Sequence, residues 1–391
     1  MKKHILITQC SMYLGGAERA LLSMLESFDY EHFDIDLFLY KHEGELMEYL
    51  PKEVKLLPEI PDYRALNSGI KEIACSHPLI AATKIAAACA ARMSRGGGNI
   101  YDEIDRWSAH VLPPINPSTT YDACISYLAN HRIERRHVRA KQYIAWIHTD
   151  YTYLTRNAKR DVAGWALFDH IISISPAVHA GFAQVFPSLA DRLTLVENGV
   201  TRSLLERQAY EQDVSEEMRG ELKLLSVGRF CDAKNFDGAV AILAELRKLR
   251  HDVHWYIIGY GGGEPLIREA IAQYGMESYF HLLGKRSNPY PYMKACDLYV
   301  QPSRYEGKCV SVLEAQALGK PVAITPYPTA SGQLENGVDG IILPSARPQE
   351  AALSLNELLN NPSLMKRLAD NCTTRDYSCK PQLPHLYALL S

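Results

Sequence analysis

"HILITQCSMYLGGAERALLSMLESF" (residues 4–28) is the stretch that decides the fold. Its first apolar run, HILIT, has the length of a buried strand, and two glycines follow a few residues later. Apolar side chains then recur at the spacing of one helix face: Leu21, Met24, Leu25 and Phe28. A strand followed by an amphipathic helix is the start of a βαβ unit, so the stretch predicts a parallel sheet covered by helices.

The same alternation of apolar runs and amphipathic stretches continues along the chain. A first series of strand candidates covers residues 33–40, 122–128, 142–147, 170–175 and 193–197. A second series covers residues 222–228, 254–259, 279–284, 297–301, 321–325 and 340–344. Between the two series, Asn198-Gly199 is a strong turn signal, and a polar stretch follows it. We therefore predict two doubly wound α/β domains joined near residue 200.

The composition is that of a globular protein rather than of a nucleic-acid binder. Of the 391 residues, 47% are hydrophobic and 22% are charged, and the formal net charge is −3. The nine cysteines form no C-x-x-C pair, which argues against a disulfide framework or a zinc site and favours a reducing compartment. The first apolar run is too short for a signal peptide, and the apolar residues 78–93 are too short for a membrane span and contain Lys84. We expect a cytoplasmic protein.

Two strand-to-helix turns have the chemistry of a phosphate site. Gly15 and Gly16 follow the first strand and would let a ligand approach the free N–H groups of a helix start. In the second domain, Arg229 follows strand 222–228, and Lys234 precedes the next helix. Ligands of doubly wound sheets bind at such strand ends, and two fixed cations suit a departing diphosphate. For the two glycines, the alternative is a strand-to-helix turn that uses glycine only for its backbone geometry. For Arg229 and Lys234, the alternative is a pair of solvated surface charges.

The stretch "SRYEGKCVSVLEAQALGKP" (residues 303–321) places two glutamates around a predicted helix start. Glu314 lies in an apolar run, where a charge without a partner costs several kcal/mol. We expect Glu314 to accept from vicinal hydroxyls such as a ribose diol, and Glu306 to accept from sugar hydroxyls. An N–H or arginine partner inside the domain is the alternative for Glu314. With a helix that begins near Lys308, three amide N–H groups would face ligand oxygens: those of Lys308, Cys309 and Val310.

Three other segments have weaker signals. The glycine-rich turn at residues 257–267 follows a strand, but its consecutive glycines do not form a phosphate-binding fingerprint, so we interpret it as structural. His148 ends a buried strand of the first domain and suits either a structural hydrogen bond or a contact in the predicted cleft. Residues 65–118 are irregular and resemble an insertion that varies a binding cleft.

Charged clusters outside these turns do not predict a metal site. Asp34 and Asp36 form an Asp-x-Asp pair, but they lie in an alternating strand, and no other cluster has metal-ligand spacing. The basic segment 131–141 is either a solvated loop before a strand or a surface that attracts an anionic membrane or a phosphate-bearing acceptor. Neutralising Arg135, Arg136 and Arg139 would distinguish the two.

Several motifs occur together in an order that resembles a known family. They are GGAER after the first strand, NGV at the domain join, VGRF with a following Lys, LLGKR, ACDLYVQPSRYEG and the E-x7-E spacing of Glu306 and Glu314. In these residues the chain resembles the family 4 retaining glycosyltransferases of the GT-B architecture. The resemblance implies two Rossmann-like domains that face each other across a cleft. It also implies domains of residues 1–200 and 201–377, with a final helix in 378–391 that packs back onto the first domain.

The resemblance also implies roles for individual residues. Arg229 and Lys234 would bind the donor diphosphate, Glu306 the donor sugar hydroxyls, and His148 the sugar near its reacting carbon. The catalytic residues implied are His148, Arg229, Lys234 and Glu306. The donor-binding residues implied are Gly15, Gly16, Gly228, Lys285, Arg286, Lys308, Cys309, Val310 and Glu314. The family pattern E-G-F-G is here EGKC, so Lys308 and Cys309 depart from it where donor preference would be set.

The function that the resemblance implies is transfer of a hexose, with retention, from a nucleoside diphosphate sugar to an acceptor hydroxyl, and we expect a UDP-sugar as the donor. No cofactor and no metal would be required, and no nucleic acid would bind. The acceptor would be a glycan or a lipid-linked glycan, in cell-surface polysaccharide synthesis at the inner face of a membrane, with segment 131–141 as the membrane contact. A UDP-sugar epimerase or phosphorylase of the same architecture, or a non-catalytic binding subunit, is the alternative.

Overall fold

The structure is a computed structural model that describes residues 2–93, 100–128, 131–149, 151–153 and 158–390. The chain divides into two compact units, residues 1–198 with 379–391 and residues 199–378. The domain bounds predicted from the sequence are 1–200 and 201–377, with 378–391 returning to the first domain. Each unit has its own parallel sheet.

In its described residues, the first unit has seven strands and eight α-helices before the join. The strands are β1 (Lys3–Gln9), β2 (Phe33–Leu39), β3 (Lys55–Leu56), β4 (Tyr121–Leu128), β5 (Ala140–Ile147), β6 (His170–Ser173) and β7 (Leu193–Leu195). The helices are α1 (Gly16–Ser27), α2 (Pro61–Leu66), α3 (Ile70–Ile73), α4 (Pro78–Met93), α5 (Ile100–Ser108), α6 (His131–His137), α7 (Ala158–Trp165) and α8 (Pro176–Val185). All strand pairs are parallel, in the order β3-β2-β1-β4-β5-β6-β7.

The opening stretch forms the predicted strand and helix. Ile5, Leu6 and Ile7 of β1 are fully buried, as expected for a central parallel strand that is covered on both faces. Helix α1 begins at Gly16 and buries the predicted apolar positions, among them Leu21 and Leu25. The hydrophobic periodicity therefore fixes this part of the fold locally.

The second unit repeats the pattern with six strands and seven helices. The strands are β8 (Leu222–Val227), β9 (Val253–Ile258), β10 (Phe280–Gly284), β11 (Leu298–Gln301), β12 (Val322–Ile324) and β13 (Ile341–Ile342). The helices are α9 (Arg202–Ala209), α10 (Phe236–Leu249), α11 (Glu264–Tyr274), α12 (Tyr290–Ala295), α13 (Val310–Ala317), α14 (Pro348–Leu359) and α15 (Pro362–Thr374). The parallel strands follow the order β10-β9-β8-β11-β12-β13.

The last helix, α16 (Leu383–Leu390), belongs to the first unit. The Tyr387 ring stacks on Phe33 with 4.8 Å between centroids, and its hydroxyl accepts from the Asp29 N–H at 2.9 Å. The Lys3 ammonium donates to the Leu390 carbonyl at 2.6 Å. The Lys3 contact satisfies a carbonyl at the carboxyl end of this eight-residue helix, and the Tyr387 contacts hold the helix on the first unit.

Two segments differ from simple expectations. The basic segment 131–141 is not a loop, because it forms α6 and the start of β5. Much of the irregular stretch 65–118 is helical and contributes α3, α4 and α5. Among the described residues, no helix combines the length and apolar character that crossing a membrane requires.

Candidate functional site

The candidate site of the second unit lies where its strand order reverses. From β8 the chain goes outward to β9 and β10 and then returns to β11 on the other side of β8. The loops that follow β8 and β11 leave neighbouring strands at the same edge of the sheet. Ligands of doubly wound sheets bind at this crevice, and the two loops carry the predicted residues Lys234 and Glu306.

Lys234 and Glu306 form an ion pair between these two loops. The Lys234 ammonium donates to Glu306 Oε1 at 2.6 Å, and the two side chains are 18% and 11% exposed. Burial alone would lower the pKa of Lys234, but the neighbouring Cys309 and Glu306 hold it above its ordinary value. The lysine therefore stays charged at neutral pH, and the ion pair is largely shielded from solvent.

The Cys309 thiol completes the surroundings of the lysine. Its Sγ lies 3.8 Å from the Lys234 Nζ and 3.3 Å from the Ser311 hydroxyl. Burial, with the charge of Glu306, raises the pKa of Cys309 to about 11. The thiol is therefore protonated at neutral pH and packs beside the ion pair as an uncharged group.

A buried chain of hydrogen bonds from β11 and the loop after it positions the Glu306 carboxylate. The Tyr299 hydroxyl donates to Gln301 Oε1 at 2.9 Å, and Gln301 Nε2 donates to the Ser303 hydroxyl at 2.8 Å. Ser303 in turn donates to Glu306 Oε1 at 2.6 Å. Since Tyr299, Gln301 and Ser303 are almost completely buried, this chain fixes the orientation of the carboxylate.

The two loops are tied to each other beside the ion pair. The Arg304 guanidinium lies 3.2 Å from the carboxylates of both Asp232 and Asp237. Asn235 adopts a positive φ of 55° and donates from its amide to the Pro302 carbonyl at 2.9 Å. Asparagine tolerates this left-handed conformation well, so the turn that follows Lys234 is chemically suited to its sequence.

Arg229 is the exposed cation of the site. It follows β8 and makes no side-chain hydrogen bond or ion pair with any residue that the structure describes. The neighbouring Gly228 lies against Lys234, because a Cβ there would come within 3.1 Å of the lysine Cε. A larger residue at position 228 would therefore displace the lysine stem, and the turn keeps both cations at one strand end.

The glycine-rich turn at 257–267 has the structural role that we assigned to it. A Cβ at Gly259 would lie 1.9 Å from the Gly228 carbonyl oxygen, and one at Gly261 would lie 2.6 Å from the Phe230 carbonyl oxygen. These glycines allow the turn to pack against the backbone of the loop after β8. Gly262 has no neighbour within 4 Å and lacks that constraint.

The start of α13 differs from the prediction. The helix begins at Val310, with Cys309 as its N-cap, rather than near Lys308, which is half-buried. The Cys309 N–H donates to Gln333 Oε1 at 2.7 Å, and Gln333 Nε2 donates to the Cys309 carbonyl at 3.2 Å. The expectation that this amide is open to ligand oxygens is therefore wrong, because a side chain already occupies it.

Glu314 has an internal partner of an unexpected type. Its side chain is buried, and its Oε1 accepts from the Tyr290 hydroxyl at 2.8 Å. Glu314 therefore has an internal partner, a tyrosine hydroxyl, which is neither of the two partner types that the sequence analysis named as the alternative. A ribose would have to share this carboxylate with Tyr290.

Lys285 and Arg286, two of the predicted donor-binding residues, lie in different environments. Arg286 donates to Glu217 Oε2 at 2.6 Å and to the Tyr292 hydroxyl at 2.9 Å, and the bond to Glu217 leads in raising its pKa. The Lys285 ammonium lies 5.2 Å from the centre of the Tyr260 ring. Arg286 therefore has a structural partner in this unit that the sequence did not predict.

In the first unit, the predicted residues lie at two strand ends. Gly15 is the N-cap of α1, and a Cβ there would meet the Glu18 carboxylate at 2.1 Å. Gly16 is the first residue of that helix. His148 follows β5, and its Nε2 hydrogen-bonds the Tyr127 carbonyl at 3.0 Å, which gives this nitrogen the proton.

The aspartates of the first unit have protein partners. The Asp36 carboxylate accepts from the Tyr121 hydroxyl at 2.8 Å, and Asp34 pairs with Lys2 at 3.4 Å. Across the described part of the chain, no three His, Cys, Asp or Glu side chains come together in a way that could hold a metal ion.

Sequence reasoning missed the residues that support the site rather than form it. These are Tyr290, Tyr299, Gln301, Ser303 and Gln333. Only the serine had a usable signal, since it lies three residues before Glu306 in the same loop. The others are distant in sequence from the groups they hold or lie within a strand, and no spacing rule connects them.

Part of the chain matches a family model. Residues 208–375, which lie inside the second unit, match the model described as "Glycosyl transferases group 1". An uncharacterised glycosyltransferase of Methanocaldococcus jannaschii is 24% identical over 207 residues, which are 52% of either chain. The alpha-D-kanosaminyltransferase of Streptomyces kanamyceticus is 29% identical over 150 residues, 38% of this chain and 39% of its own. The chain thus aligns with about half the length, or less, of these relatives.

The fold as a whole has counterparts among solved structures. The crystal structure of Anabaena HepE in complex with UDP has a TM-score of 0.68 and 18% sequence identity, and the match covers 100% of both chains. At this identity the likeness shows the fold. The chain has the α/β GT-B fold of two Rossmann-like domains, and its second unit is similar in sequence to the group 1 glycosyl transferases.

Proposed function

We propose that the protein is a retaining glycosyltransferase that transfers a hexose from a nucleoside diphosphate sugar to an acceptor hydroxyl. The observation that carries the proposal is the Lys234–Glu306 pair at the point where the strand order reverses. Arg229, which pairs with none of the described residues, is exposed in the same loop as Lys234. The complex of Anabaena HepE with UDP supports a UDP-sugar as the donor. The glycosyltransferases among the sequence relatives support a transferase.

The two cations suit the leaving group. As the bond between the anomeric carbon and the diphosphate oxygen breaks, negative charge develops on the diphosphate. Arg229 is exposed, and of the three protons of the Lys234 ammonium one reaches Glu306 and another is directed at the Cys309 sulfur, which leaves one for the diphosphate. Preorganised charges of this kind stabilise a transition state because they need little reorganisation during the reaction.

Glu306 suits the sugar that is transferred. Its Oε1 accepts from both Lys234 and Ser303, whereas its Oε2 accepts from none of the residues that the structure describes. We propose that Oε2 accepts from sugar hydroxyls. Glu314 would share its carboxylate between Tyr290 and the ribose, and Lys308 and Cys309 would adjust donor preference beside the sugar.

Retention would follow from attack on the face that the diphosphate leaves. The acceptor oxygen forms its bond to the anomeric carbon on that face, and its proton passes to the departing phosphate oxygen. In the first unit, we propose that the glycines at the start of α1 approach the diphosphate and that His148 contacts the sugar. The base would be held near Lys285, since Arg286 is engaged by Glu217.

We propose a glycan or lipid-linked glycan as the acceptor, used from the cytoplasmic side of a membrane in the synthesis of a cell-surface polysaccharide. Three exposed arginines in or beside α6 support attraction to an anionic surface: Arg135, Arg136 and Arg139. Each such cation contributes about 1 kcal/mol near an anionic leaflet.

The test is a donor panel followed by NMR, in which a transferred sugar with the donor's anomeric configuration is expected. Incubation of the protein with donor alone distinguishes a transferase from a UDP-sugar epimerase. Formation of an epimerised sugar in the absence of acceptor would indicate an epimerase. Calorimetry that detects no binding of any UDP-sugar would favour a non-catalytic subunit. Lys234→Ala and Glu306→Ala should each abolish transfer while the circular dichroism spectrum is retained. Near-normal turnover in both variants would refute the assigned roles.

A further inference from the structure

Tyr327 has a buried hydroxyl without a hydrogen-bond partner. It lies in segment 325–333, which follows β12 and leaves the sheet at the same edge as the loop that carries Glu306. The side chain of Tyr327 is 4% exposed, and its hydroxyl bonds to none of the residues that the structure describes. Its backbone N–H donates to the Thr325 carbonyl at 2.8 Å, and its carbonyl accepts from the Ala330 N–H at 2.9 Å. The backbone is therefore satisfied, and only the O–H group has no acceptor.

A hydroxyl of this kind is unusual in this part of the molecule. A buried donor without an acceptor loses its hydrogen bond to water and gains none in return, so native proteins contain few of them. Residues 199–378 are all described, and two of their buried side-chain atoms lack a partner: Gln316 Oε1, which is an acceptor, and the Tyr327 hydroxyl. Tyr327 thus has the one such group of the second unit that can donate.

The segment of Tyr327 is bonded to the backbone that carries the candidate sugar-binding carboxylate. The Thr329 hydroxyl donates to the Glu306 carbonyl at 2.9 Å. On the other side of the tyrosine, the Thr325 hydroxyl donates to the Ser303 carbonyl at 2.6 Å. Tyr327 is therefore held beside Glu306 by contacts that precede and follow it in sequence.

The groups around the hydroxyl belong to the candidate site. Burial raises the pKa of Tyr327 well above its ordinary value, and the neighbouring Cys309 and Glu306 add to the rise. The phenol is therefore a neutral donor at neutral pH. Glu306 Oε2 accepts from none of the described residues, because both donors to this carboxylate bind Oε1. The same part of the site thus holds a neutral donor and a charged acceptor atom that both lack a partner.

A sugar hydroxyl can satisfy both groups at once. A hydroxyl has one proton to donate and lone pairs with which to accept, so it can donate to Glu306 Oε2 and accept from the Tyr327 O–H. A phosphate oxygen has no such proton at neutral pH, and the charge of the carboxylate would repel it. A neutral ligand with hydroxyl groups is therefore the chemical class that fits.

We propose that Tyr327 is a specificity-determining residue, whose hydroxyl donates to the same hydroxyl of the donor sugar that Glu306 accepts from. Solvent does not reach the Tyr327 hydroxyl in this structure, so the contact requires a small shift of the surrounding side chains when the donor binds. A site that hydrogen-bonds a substrate hydroxyl rejects an analogue that lacks it, because the buried polar groups then have no partner. The inference rests on the proposed function and specifies how the transferred sugar is recognised.

Thermal unfolding of Tyr327→Phe tests whether the hydroxyl is unpartnered in the protein without ligand. The change removes one oxygen and keeps the ring. The melting midpoint, followed by circular dichroism, should stay unchanged or rise, because no hydrogen bond within the protein is lost. The matched control is Tyr256→Phe in the same unit. The Tyr256 hydroxyl donates to the Arg219 carbonyl, so this change should lower the midpoint.

Calorimetric titration tests the contact with the sugar. The probes are UDP, UDP-glucose and the analogues of UDP-glucose that each lack one sugar hydroxyl. Wild type should bind one of these analogues at least about tenfold more weakly than UDP-glucose. Tyr327→Phe should bind UDP like wild type, bind UDP-glucose about tenfold more weakly than wild type, and discriminate less against that one analogue. Tyr256→Phe should bind every probe like wild type.

Four outcomes would overturn the proposal. They are an unchanged affinity of Tyr327→Phe for UDP-glucose, an equal loss of affinity for UDP and UDP-glucose, a wild type that distinguishes none of the analogues from UDP-glucose, and a melting midpoint that falls as it does in Tyr256→Phe. The last outcome would show that the hydroxyl already has a partner, such as an internal water. Failure of the proposed function gives a different result, since wild type would then bind neither UDP nor UDP-glucose.

Discussion

Glu134→Gln should make the stability of the first unit less dependent on pH. Glu134 lies on α6, its side chain is fully buried, and its Oε1 accepts from the Tyr40 hydroxyl at 2.6 Å. Burial raises its pKa from 4.5 to about 8, and the neighbouring Asp105 contributes to the rise. The folded protein therefore keeps a proton on Glu134 at neutral pH that the unfolded chain releases.

The sign and size of the effect follow from this pKa. The stabilising contribution is fully present below the unfolded pKa of 4.5 and is lost as the pH rises through the folded pKa of about 8. At pH 7, holding the proton costs of order 3 kcal/mol of unfolding free energy. Glutamine is neutral at every pH and can still accept from Tyr40, so the variant avoids this cost.

The assay is urea unfolding of wild type and variant, followed by circular dichroism, from about pH 5 to about pH 8. The variant should gain little at the acid end and of order 3 kcal/mol near pH 7. Glu277→Gln, at an exposed position, is the matched control and should follow wild type throughout. A difference between Glu134→Gln and wild type that stays constant with pH would refute the reasoning.

Three further predictions test the second unit. Gly259→Ala should clearly lower the melting temperature of this unit, because the new Cβ would lie 1.9 Å from a carbonyl oxygen. Gly262→Ala is the control and should change the melting temperature little, because nothing lies within 4 Å of its Cβ position. Equal effects of the two changes would contradict the packing described. Arg229→Ala should weaken UDP binding in calorimetry at least about tenfold with no loss of thermal stability, since the arginine has no partner in the described chain; a destabilised variant would indicate a structural role. Tyr290→Phe should cost about 1–3 kcal/mol in urea unfolding, because it removes a donor to the buried Glu314, and an unchanged midpoint would show that this bond contributes nothing.

The sequence predicts the elements of this fold because their signals are local. The apolar run of β1 and the helical spacing in α1 lie within 25 consecutive residues, and each is set by its own periodicity. The two cations of the turn after β8, Arg229 and Lys234, are likewise recognisable because they lie within seven residues of the end of a predicted strand. The expectation of a solvated loop in segment 131–141 was wrong because it followed the dense basic residues. The segment contains α6, in which Ile133 and Glu134 are buried.

The supporting contacts of the site could not be predicted in the same way. Gln333 holds the backbone of Cys309 from 24 residues away, and it is this contact that occupies an amide we expected to be open. The same separation divides Tyr290 from Glu314. Such pairs depend on how the loops after different strands meet, which is a property of the folded sheet and not of residue spacing.

Calorimetric titration of UDP-glucose into wild type and Lys234→Met tests the central claim most directly. Methionine has a similar length and no charge, so it can occupy the lysine's place beside Gly228. The account predicts that wild type binds and that the variant loses at least about a hundredfold in affinity while it remains folded, as expected when a charge-assisted contact to phosphate is removed. Binding of equal strength by the two proteins would contradict the assignment of Lys234, and with it the site proposed here.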